Sequence, residues 1–462
     1  MFLLVATLNP SPWLHRFAVL TAVATLGLVG LGGLVTSKGV GMSVPDWPTS
    51  YGYNMFALPV STWLTGGIFH EHTHRLWASL VGVLVVALTR WMGGRRSRLP
   101  LLVIGAVEIL AGISLLKLGA DWKGAGHFLA GIGGVVLLAG LPLLGWAAFL
   151  LLKLQGLFRR LRVVKDAPAP GRLPQLAWVE SWLVKLQSLL RGLRAGLDAP
   201  APGRLPLLGW VAFWLVQLQG LLGGLRVVLD SQVVAEVRLG TAFGIFHGCL
   251  GQSFLVLTAI IALQTSRWWQ EREGSAGPKV IAEVPRWFLL GTALIFLQLL
   301  IAATMRHQHA GLAISDFPLA HGKLWPDLSA EAVAGYNMRR VEVLDADPIT
   351  RFQIGLQMAH RIVALLILLV VSLCAWKART PAAVQRLGFF WLGLILVQVG
   401  LGAWTIWSNK AADVATAHVV IGALSLVTGA LGCLISLRRL TGAERSAAVT
   451  FTKSVRSKPV SV

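Results

Sequence analysis

Long apolar runs separated by short polar segments dominate the hydrophobic pattern of this chain. Each run is close to the roughly 20 residues that a helix needs to cross the hydrocarbon core of a membrane. Because lipid cannot satisfy exposed backbone groups, a spanning run has to be helical. The pattern predicts about ten transmembrane helices, near residues 17–36, 72–90, 99–117, 128–152, 205–228, 239–263, 287–304, 354–376, 387–407 and 415–437.

The composition agrees with an integral membrane protein and excludes an ordinary soluble domain. Of the 462 residues, 55% are hydrophobic and 13% are charged, and the mean hydropathy is +0.69. The three cysteines, Cys249, Cys374 and Cys433, all lie within apolar runs. That placement favours packing over a disulfide or thiol chemistry. The predicted fold class is therefore an all-α membrane protein.

The basic excess of the chain marks its orientation in the membrane. The sequence has 41 Lys and Arg against 20 Asp and Glu, a formal net charge of +21. Basic residues cluster after the second, fourth, sixth and eighth spans and in the C-terminal tail, and they are sparser in the alternate loops. The positive-inside rule then places both termini in the cytoplasm, with no nucleic-acid partner implied. The first span has no convincing cleavage site, so we expect a retained helix in a bacterial inner membrane.

Two repeats are visible within the chain. A tandem array with a period of 32 residues starts at Leu141, Leu173 and Leu205, and its near-identical copies indicate a recent duplication. An older repeat matches "GMSVPDWPTSYG" from Gly41 with "GLAISDFPLAHG" from Gly311 without a gap. In the same two halves, "EHTHRLWASL" matches "QMAHRIVALL", and "LGGLRVVLDS" matches "LGAWTIWSNK".

The older repeat predicts two pseudo-symmetric four-helix bundles with an insertion between parts of the first. The N-terminal bundle comprises residues 1–98 and 205–266, and the C-terminal bundle comprises 267–445. Residues 99–204 form the insertion, with additional spans and the 32-residue repeats, and 446–462 form a basic cytoplasmic tail. We assign no chemistry to the repeat array.

Four histidines occupy duplicated positions near the predicted outer ends of returning spans. His74 is matched by His360, and a later span in each half carries His247 or His418. Neutral imidazoles on facing helices can hold a haem iron from both sides. The other histidines lie outside this pattern. We expect surface or supporting positions for His70 and His72, a solvated loop end for His307 and His309, a structural role for His127, and no defined role for His15 and His321.

The residues beside the duplicated histidines separate the two halves. Glu71 lies one helical turn before His74 on the same face, whereas the second half has Gln357, which cannot accept a proton as a base does. Arg75 and Arg361 follow the histidines directly. A guanidinium there suits a haem propionate, and a position at the membrane interface is an equal alternative. The first half is thus equipped for acid–base chemistry and the second is not.

Together these motifs resemble the haem A synthase family. The motifs are Glu71-x-x-His74-Arg75, His247 after "GLLGGLRVVLDS", "MRHQHAGLAISDFP", Gln357-x-x-His360-Arg361, and His418. The resemblance covers nearly the whole chain outside roughly residues 99–204. Some relatives carry a cysteine pair in the first outer loop, but residues 37–69 contain no cysteine here, so no thiol role is carried over.

The resemblance implies an oxidoreductase that makes haem A for terminal oxidases. It implies a haem b cofactor between His360 and His418, substrate haem O near His74 and His247, and Glu71 as the catalytic carboxylate. One porphyrin ring methyl of haem O is oxidised to a formyl group by successive hydroxylation and loss of water. It also implies association with haem O synthase and with terminal oxidase assembly.

The sequence keeps an alternative function open: a bis-histidine cytochrome b-type electron carrier in the membrane, or a haem-handling protein. An electron carrier across a bilayer needs cofactors at two depths, whereas all four candidate ligands fall near outer ends. A handling protein would not require a carboxylate in only one half. The sequence leaves open the source of the inserted oxygen, the electron partner and whether the chain forms a homo-oligomer.

Overall fold

The computed structural model describes residues 11–121, 201, 203–234, 237–271, 283–339, 348–378 and 382–456. These residues form nine long helices. In chain order they are α1 (Pro12–Ser37), α2 (Gly66–Gly93), α3 (Arg98–Asp121), α4 (Leu205–Val228), α5 (Leu239–Gln264), α6 (Val284–His307), α7 (Arg351–Lys377), α8 (Ala382–Trp407) and α9 (Ala412–Arg456). The shorter elements are helices at Val60–Trp63, Arg267–Gln270 and Ala330–Arg339, 3-10 turns at Met55–Ala57, Gly94–Ser97 and Ala310–Leu312, and an antiparallel hairpin of Val233–Val234 with Val237–Arg238.

Within the described residues, eight helical stretches are long and apolar enough to cross a membrane. Six are the single helices α1 and α4 to α8, one is the first part of α9 up to Arg438, and one runs from Gly66 through α2 to Glu108 in α3. The predicted all-α membrane fold is confirmed. The predicted span near 128–152, His127, and the repeat copies from Leu141 and Leu173 lie outside the described residues. The third copy forms α4.

Local sequence signals explain where several helices begin. Proline occupies the first turn of α1, α4 and α6, where its fixed φ suits a helix and its missing N–H is not needed. At the start of α7, the Thr350 side chain accepts from the Gln353 N–H, and the Gln353 side chain accepts from the Thr350 N–H. This capping box satisfies two donors that the helix itself leaves free.

The helices pack as two rings of four. In the first ring, α1 contacts α2, α2 contacts α4, α4 contacts α5, and α5 returns to α1; in the second, α6, α7, α8 and α9 follow the same order. Each ring has its own apolar core, with Val85, Leu88 and Ile261 in the first. In the second, the rings of Phe288 and Trp391 stack with centroids 5.2 Å apart. The predicted domain boundaries, including where the tail begins along α9, stay a prediction.

The two rings meet mainly along α1 and α9. Gly33 of α1 packs against Val419 of α9, and a Cβ added at Gly33 would lie at an ordinary contact distance of 3.5 Å from it. At the same end, the Arg306 guanidinium of α6 donates to the Gly33 carbonyl at 3.1 Å and to the Ser37 hydroxyl. A half-buried guanidinium that bonds to the other ring favours one relative position of the halves.

The direction of the helices predicts on which side of the membrane the connection after α2 and the connection before α9 lie. α2 runs from the loop end, where His74 lies, towards the turn before Arg98, whereas Lys410 lies in the short connection directly before α9. Reporter fusions after Arg98 and after Lys410 should therefore report opposite sides of the membrane. A fusion after Gly322, in the loop between α6 and α7, should report the same side as Lys410. Fusions after Arg98 and Lys410 that report one common side would contradict this topology.

Candidate functional site

The duplicated loops adopt the same turn in both halves. The two carboxylate oxygens of Asp46 accept from the N–H groups of Tyr51 and Gly52 at 2.6 and 2.9 Å. Asp316 accepts from the N–H groups of the two equivalent residues at 2.7 and 2.8 Å. Burial raises the pKa of Asp46, but the hydrogen bonds from Gly52, Thr49 and Tyr51 outweigh it and hold that pKa below its usual value. A charged aspartate thus organises the first loop.

One side chain ties each loop to the helix that carries the candidate histidine. Glu71 Oε2 accepts from the Val44 N–H at 2.8 Å, and Gln357 Oε1 accepts from the Ile314 N–H at 2.7 Å. Both side chains are buried, with 4% and 3% of their surface exposed. The second oxygen of Glu71 accepts from Arg75 at 2.7 Å, whereas the Gln357 amide donates to two backbone carbonyls of its own loop. The bond from the loop amide is the same in both halves, but its acceptor is a carboxylate in the first half and a neutral amide in the second.

The arginines after the histidines also hold the loops. Arg75 donates through Nη1 to the Asp46 and Thr49 carbonyls, at 2.7 and 3.2 Å, and through Nη2 to the Val44 carbonyl at 2.7 Å. Arg361 donates to two carbonyls of the second loop at 2.6 and 2.7 Å. Arg75 is only 8% exposed, so the interface alternative is wrong for it. A propionate contact of Arg75 and Arg361 stays a prediction, although the terminal nitrogens of Arg75 already have partners.

The four duplicated histidines lie near the start of four helices, and glycines make room for three of them. A Cβ added at Gly32, Gly223 or Gly402 would lie 3.1 to 3.2 Å from the Cε1 atom of the imidazole of His74, His247 or His418, respectively. That is closer than ordinary van der Waals contact. Each of these glycines belongs to the preceding helix of the same ring, so the bare backbone admits the imidazole between two helices. His360 instead receives a bond from Gln298 Nε2 on its carbonyl, at 2.9 Å.

The structure brings the predicted histidines together in pairs. The ring centroids of His360 and His418 are 6.5 Å apart, and His74 and His247 are close enough to interact electrostatically. Both pairs lie at one depth. Gly32 contacts His74, and its neighbour Gly33 contacts Val419, which follows His418 directly. This agrees with the expectation of two sites side by side at the loop end of the rings.

The pairs fit a haem-type group better than a bare metal ion. Metal–imidazole bonds of about 2 Å each place one ion between rings at the His360–His418 separation. Nδ1 of His74 and of His360 is buried without a hydrogen-bond partner, and such a group calls for an explanation such as a further ligand. Among the described residues, no three His, Cys, Asp or Glu side chains form a metal-binding group. An iron held here would therefore need its equatorial ligands from a macrocycle.

The remaining histidines divide between support and surface. His72 is 2% exposed, with Nδ1 3.3 Å from the Ser50 hydroxyl, so the surface alternative is wrong and the supporting one applies. His309 lies exposed in a loop as expected, but His307 packs against Gly244 of α5, so a solvated loop end is wrong for it. Three further histidines contact other groups of the protein: His15 bonds the Ala262 carbonyl, His321 stacks on Tyr336, and His70 packs edge-on against Phe69.

Arg226 is a further charged residue at the histidine pair of the first half that was not among the residues predicted from the sequence. This residue lies in the last turn of α4 and interacts electrostatically with Glu71, His74 and His247. The matched segments "LGGLRVVLDS" and "LGAWTIWSNK" place Thr405 at its position in the second half. A comparison of charge along that pair of segments is the signal that would have found it.

Comparisons with known proteins bear on this arrangement. The model of the cytochrome oxidase assembly protein family matches residues 197–430, just over half of the chain. The matched range includes His247, His360 and His418, whereas Glu71 and His74 precede it. A curated heme A synthase from Caulobacter sp. (strain K31) is 28% identical over 199 residues, which are 42% of this chain and 52% of that protein. The chain thus spans about half of the length of this relative.

Substitution of the glycines beside the rings should impair haem binding. We expect Gly402→Ala to lower the bound haem of the purified protein several-fold, because overpacking costs about 1–3 kcal/mol and the new methyl meets His418. Gly400→Ala is the matched control on the same helix, since a Cβ there meets no atom within 4 Å. Haem absorbance per protein, after size-exclusion chromatography, measures both. Equal haem content in the two variants would contradict the role of this contact.

Proposed function

The chain belongs to the family of cytochrome oxidase assembly proteins, and from that premise we propose that it is a haem A synthase, an oxidoreductase that converts haem O into haem A. The observation that carries the proposal is the pairing of two equivalent histidine sites with one carboxylate. Both halves share the loop, an arginine that donates to the carbonyls of that loop, and two histidines. The buried anchor is Glu71 in one half and Gln357 in the other.

In the second half, His360 and His418 would hold haem b. The ring separation of 6.5 Å supports this assignment. Bound there, haem b would supply a one-electron redox centre beside the substrate site. The protein contributes the orientation of the rings: Gly402 admits His418 between α8 and α9, and Gln298 fixes the start of α7 through the His360 carbonyl.

In the first half, His74 and His247 would bind the iron of substrate haem O and set the position of its ring. The His247 ring is oriented by the Gln219 carbonyl, 3.1 Å from Nδ1, and Gln219 Nε2 donates to the His247 carbonyl at 2.7 Å. The loop from Gly39 to Tyr53, fixed by Glu71 and Arg75, covers the loop end of α2 and would limit the access of water to the substrate.

Glu71 is the residue proposed to act on the substrate during oxidation of its ring methyl. The overall change converts the methyl to a formyl group by successive hydroxylation and loss of water. A carboxylate one turn from His74 can accept a proton or stabilise positive charge, whereas an amide in the same position cannot. The Arg75 and Val44 bonds orient the carboxylate. Membership in this family does not favour the electron-carrier or haem-handling alternative.

The setting of the enzyme follows from the same proposal. The chain is a multi-pass membrane protein, and we place it in a bacterial inner membrane with both termini in the cytoplasm, as the distribution of basic residues indicates. Haem A made there would pass to terminal oxidase assembly, and haem O would come from haem O synthase. The division into bundles at 1–98 with 205–266 and at 267–445 belongs to this proposal.

Glu71→Gln separates the proposed chemistry from the structural role of the side chain. In the second half, Gln357 already accepts the equivalent bond from the loop amide. The variant should therefore keep the fold and the haem b at His360 and His418. Haem A formation should fall by about 100-fold or more, the scale of a lost acid–base group. The measurement is pigment content by chromatography in a host that lacks its own enzyme.

Glu71→Ala is the control for the anchor, because it removes both the charge and the bond to Val44. We expect it to lose haem A as well and to weaken haem binding at His74 and His247, which Glu71→Gln should retain. Near-normal haem A from Glu71→Gln would remove the carboxylate from the mechanism. It would leave Glu71 as a loop anchor like Gln357.

A further inference from the structure

Arg226 is a partly buried cation at the histidine pair of the first half. Its guanidinium makes no hydrogen bond or ion pair with any residue that the structure describes. It interacts electrostatically with the carboxylates of Glu71 and Asp230 and with the rings of His74 and His247. Arg226 is half-buried, and an unbonded guanidinium beside the site has its donors available for an anion. Its position therefore suggests an anionic partner that the chain itself does not supply.

The loop over the site packs against this guanidinium at Gly41. A Cβ added at Gly41 would lie 2.6 Å from Arg226 Nη2, so the side chain occupies the space that a residue with a side chain would need. Further along the same loop, the Trp47 ring packs on Gly224, where an added Cβ would lie 2.5 Å from ring carbons. The end of α4 thus lies directly beneath the duplicated loop, on the side of His247.

Neither nearby carboxylate takes up the donors of Arg226. Glu71 is bonded to Arg75 and to the Val44 N–H. Asp230 packs against Gly240 at the start of α5, where an added Cβ would lie 2.4 Å from its Oδ1. The donors of Arg75 are spent on loop carbonyls and on Glu71. Of these two arginines, only Arg226 has terminal nitrogens that bond to no residue that the structure describes.

The second half carries no cation at the aligned position; Arg306, which interacts electrostatically with His418, comes from α6 and bonds to Gly33 and Ser37 of α1. Thr405 stands at the aligned position, and its hydroxyl donates to the Leu401 carbonyl at 2.8 Å. Gly311, the counterpart of Gly41, meets no atom within 4 Å of an added Cβ. The positions aligned with Glu71 and Arg226 are therefore both occupied by neutral residues, Gln357 and Thr405, in the second half.

We propose that Arg226 binds a carboxylate substituent of the macrocycle held by His74 and His247, and that it thereby fixes the rotation of that ring relative to Glu71. This inference rests on the proposed function, since it assumes a carboxylate-bearing haem in the first half. A guanidinium presents its donors as a planar fork that matches a carboxylate. An iron ligand fixes the centre of the ring only, and a second contact at the rim decides which ring substituent faces Glu71. Arg226 is a positioning residue in this account.

Paired ligands that differ only in charge test the proposal. The probes are iron protoporphyrin IX as the free diacid and as its dimethyl ester, titrated into the purified full-length protein in detergent. The variants are Arg226→Thr, which copies the second half, and Arg226→Lys, which keeps the charge. Arg204→Thr is the matched control, since it removes an exposed arginine at the opposite end of α4. His247→Ala identifies the binding phase that belongs to the first half.

The wild-type protein should bind the diacid about tenfold or more tightly than the ester in the His247-dependent phase, the scale of one charge-assisted contact. Arg226→Thr should abolish that preference by weakening the diacid alone, Arg226→Lys should keep part of it, and Arg204→Thr should keep all of it. A preference that survives in Arg226→Thr, its absence in the wild type, or an equal loss of both probes would overturn the proposal. If no phase depends on His247, the proposed function fails as well; if the phase exists but does not depend on Arg226, only this inference fails.

Discussion

A hydrogen bond from a loop amide to a side chain one turn before a histidine is the contact on which both sites depend. In the first half the Val44 N–H meets Glu71, and in the second the Ile314 N–H meets Gln357. Buried backbone donors have to be satisfied, and here the acceptor belongs to the helix that carries the histidine. Loop position and histidine position are therefore linked. The arginine one residue after the histidine reinforces that link through the loop carbonyls.

This link allows one scaffold to serve two different ends. Glutamate and glutamine have nearly the same shape, so either satisfies the loop amide, and the exchange changes charge without changing the backbone. In the first half the charge is accompanied by a second arginine, Arg226, beside the histidine pair. In the second half Gln357 and Thr405 are neutral. Under the proposed function, a substrate site and a cofactor site arise from one duplicated unit by a few polar substitutions around a shared geometry.

The spanning helices could be predicted from the sequence because a bilayer allows few alternatives for an apolar run of this length. The histidine pairs could be predicted because the duplication marks them. The burial of Arg75 could not, since a charged residue near a helix end is equally compatible with an interface position, and only the fold of the loop decides. The position of Arg226 can be found by comparing the two aligned segments, but its role cannot, because that depends on the contact with Gly41, far away in the sequence, and on the bonds that occupy the terminal nitrogens of Arg75.

The proposed function requires the two halves to hold chemically different haems, one as cofactor and one as substrate. This can be measured by extracting the pigments from the purified protein and identifying and quantifying them per chain by chromatography. The account predicts haem b together with haem O or haem A, with the haem b lost on substitution of His360 or His418 and the others lost on substitution of His74 or His247. Two equivalents of haem b per chain and no haem O or haem A would contradict it.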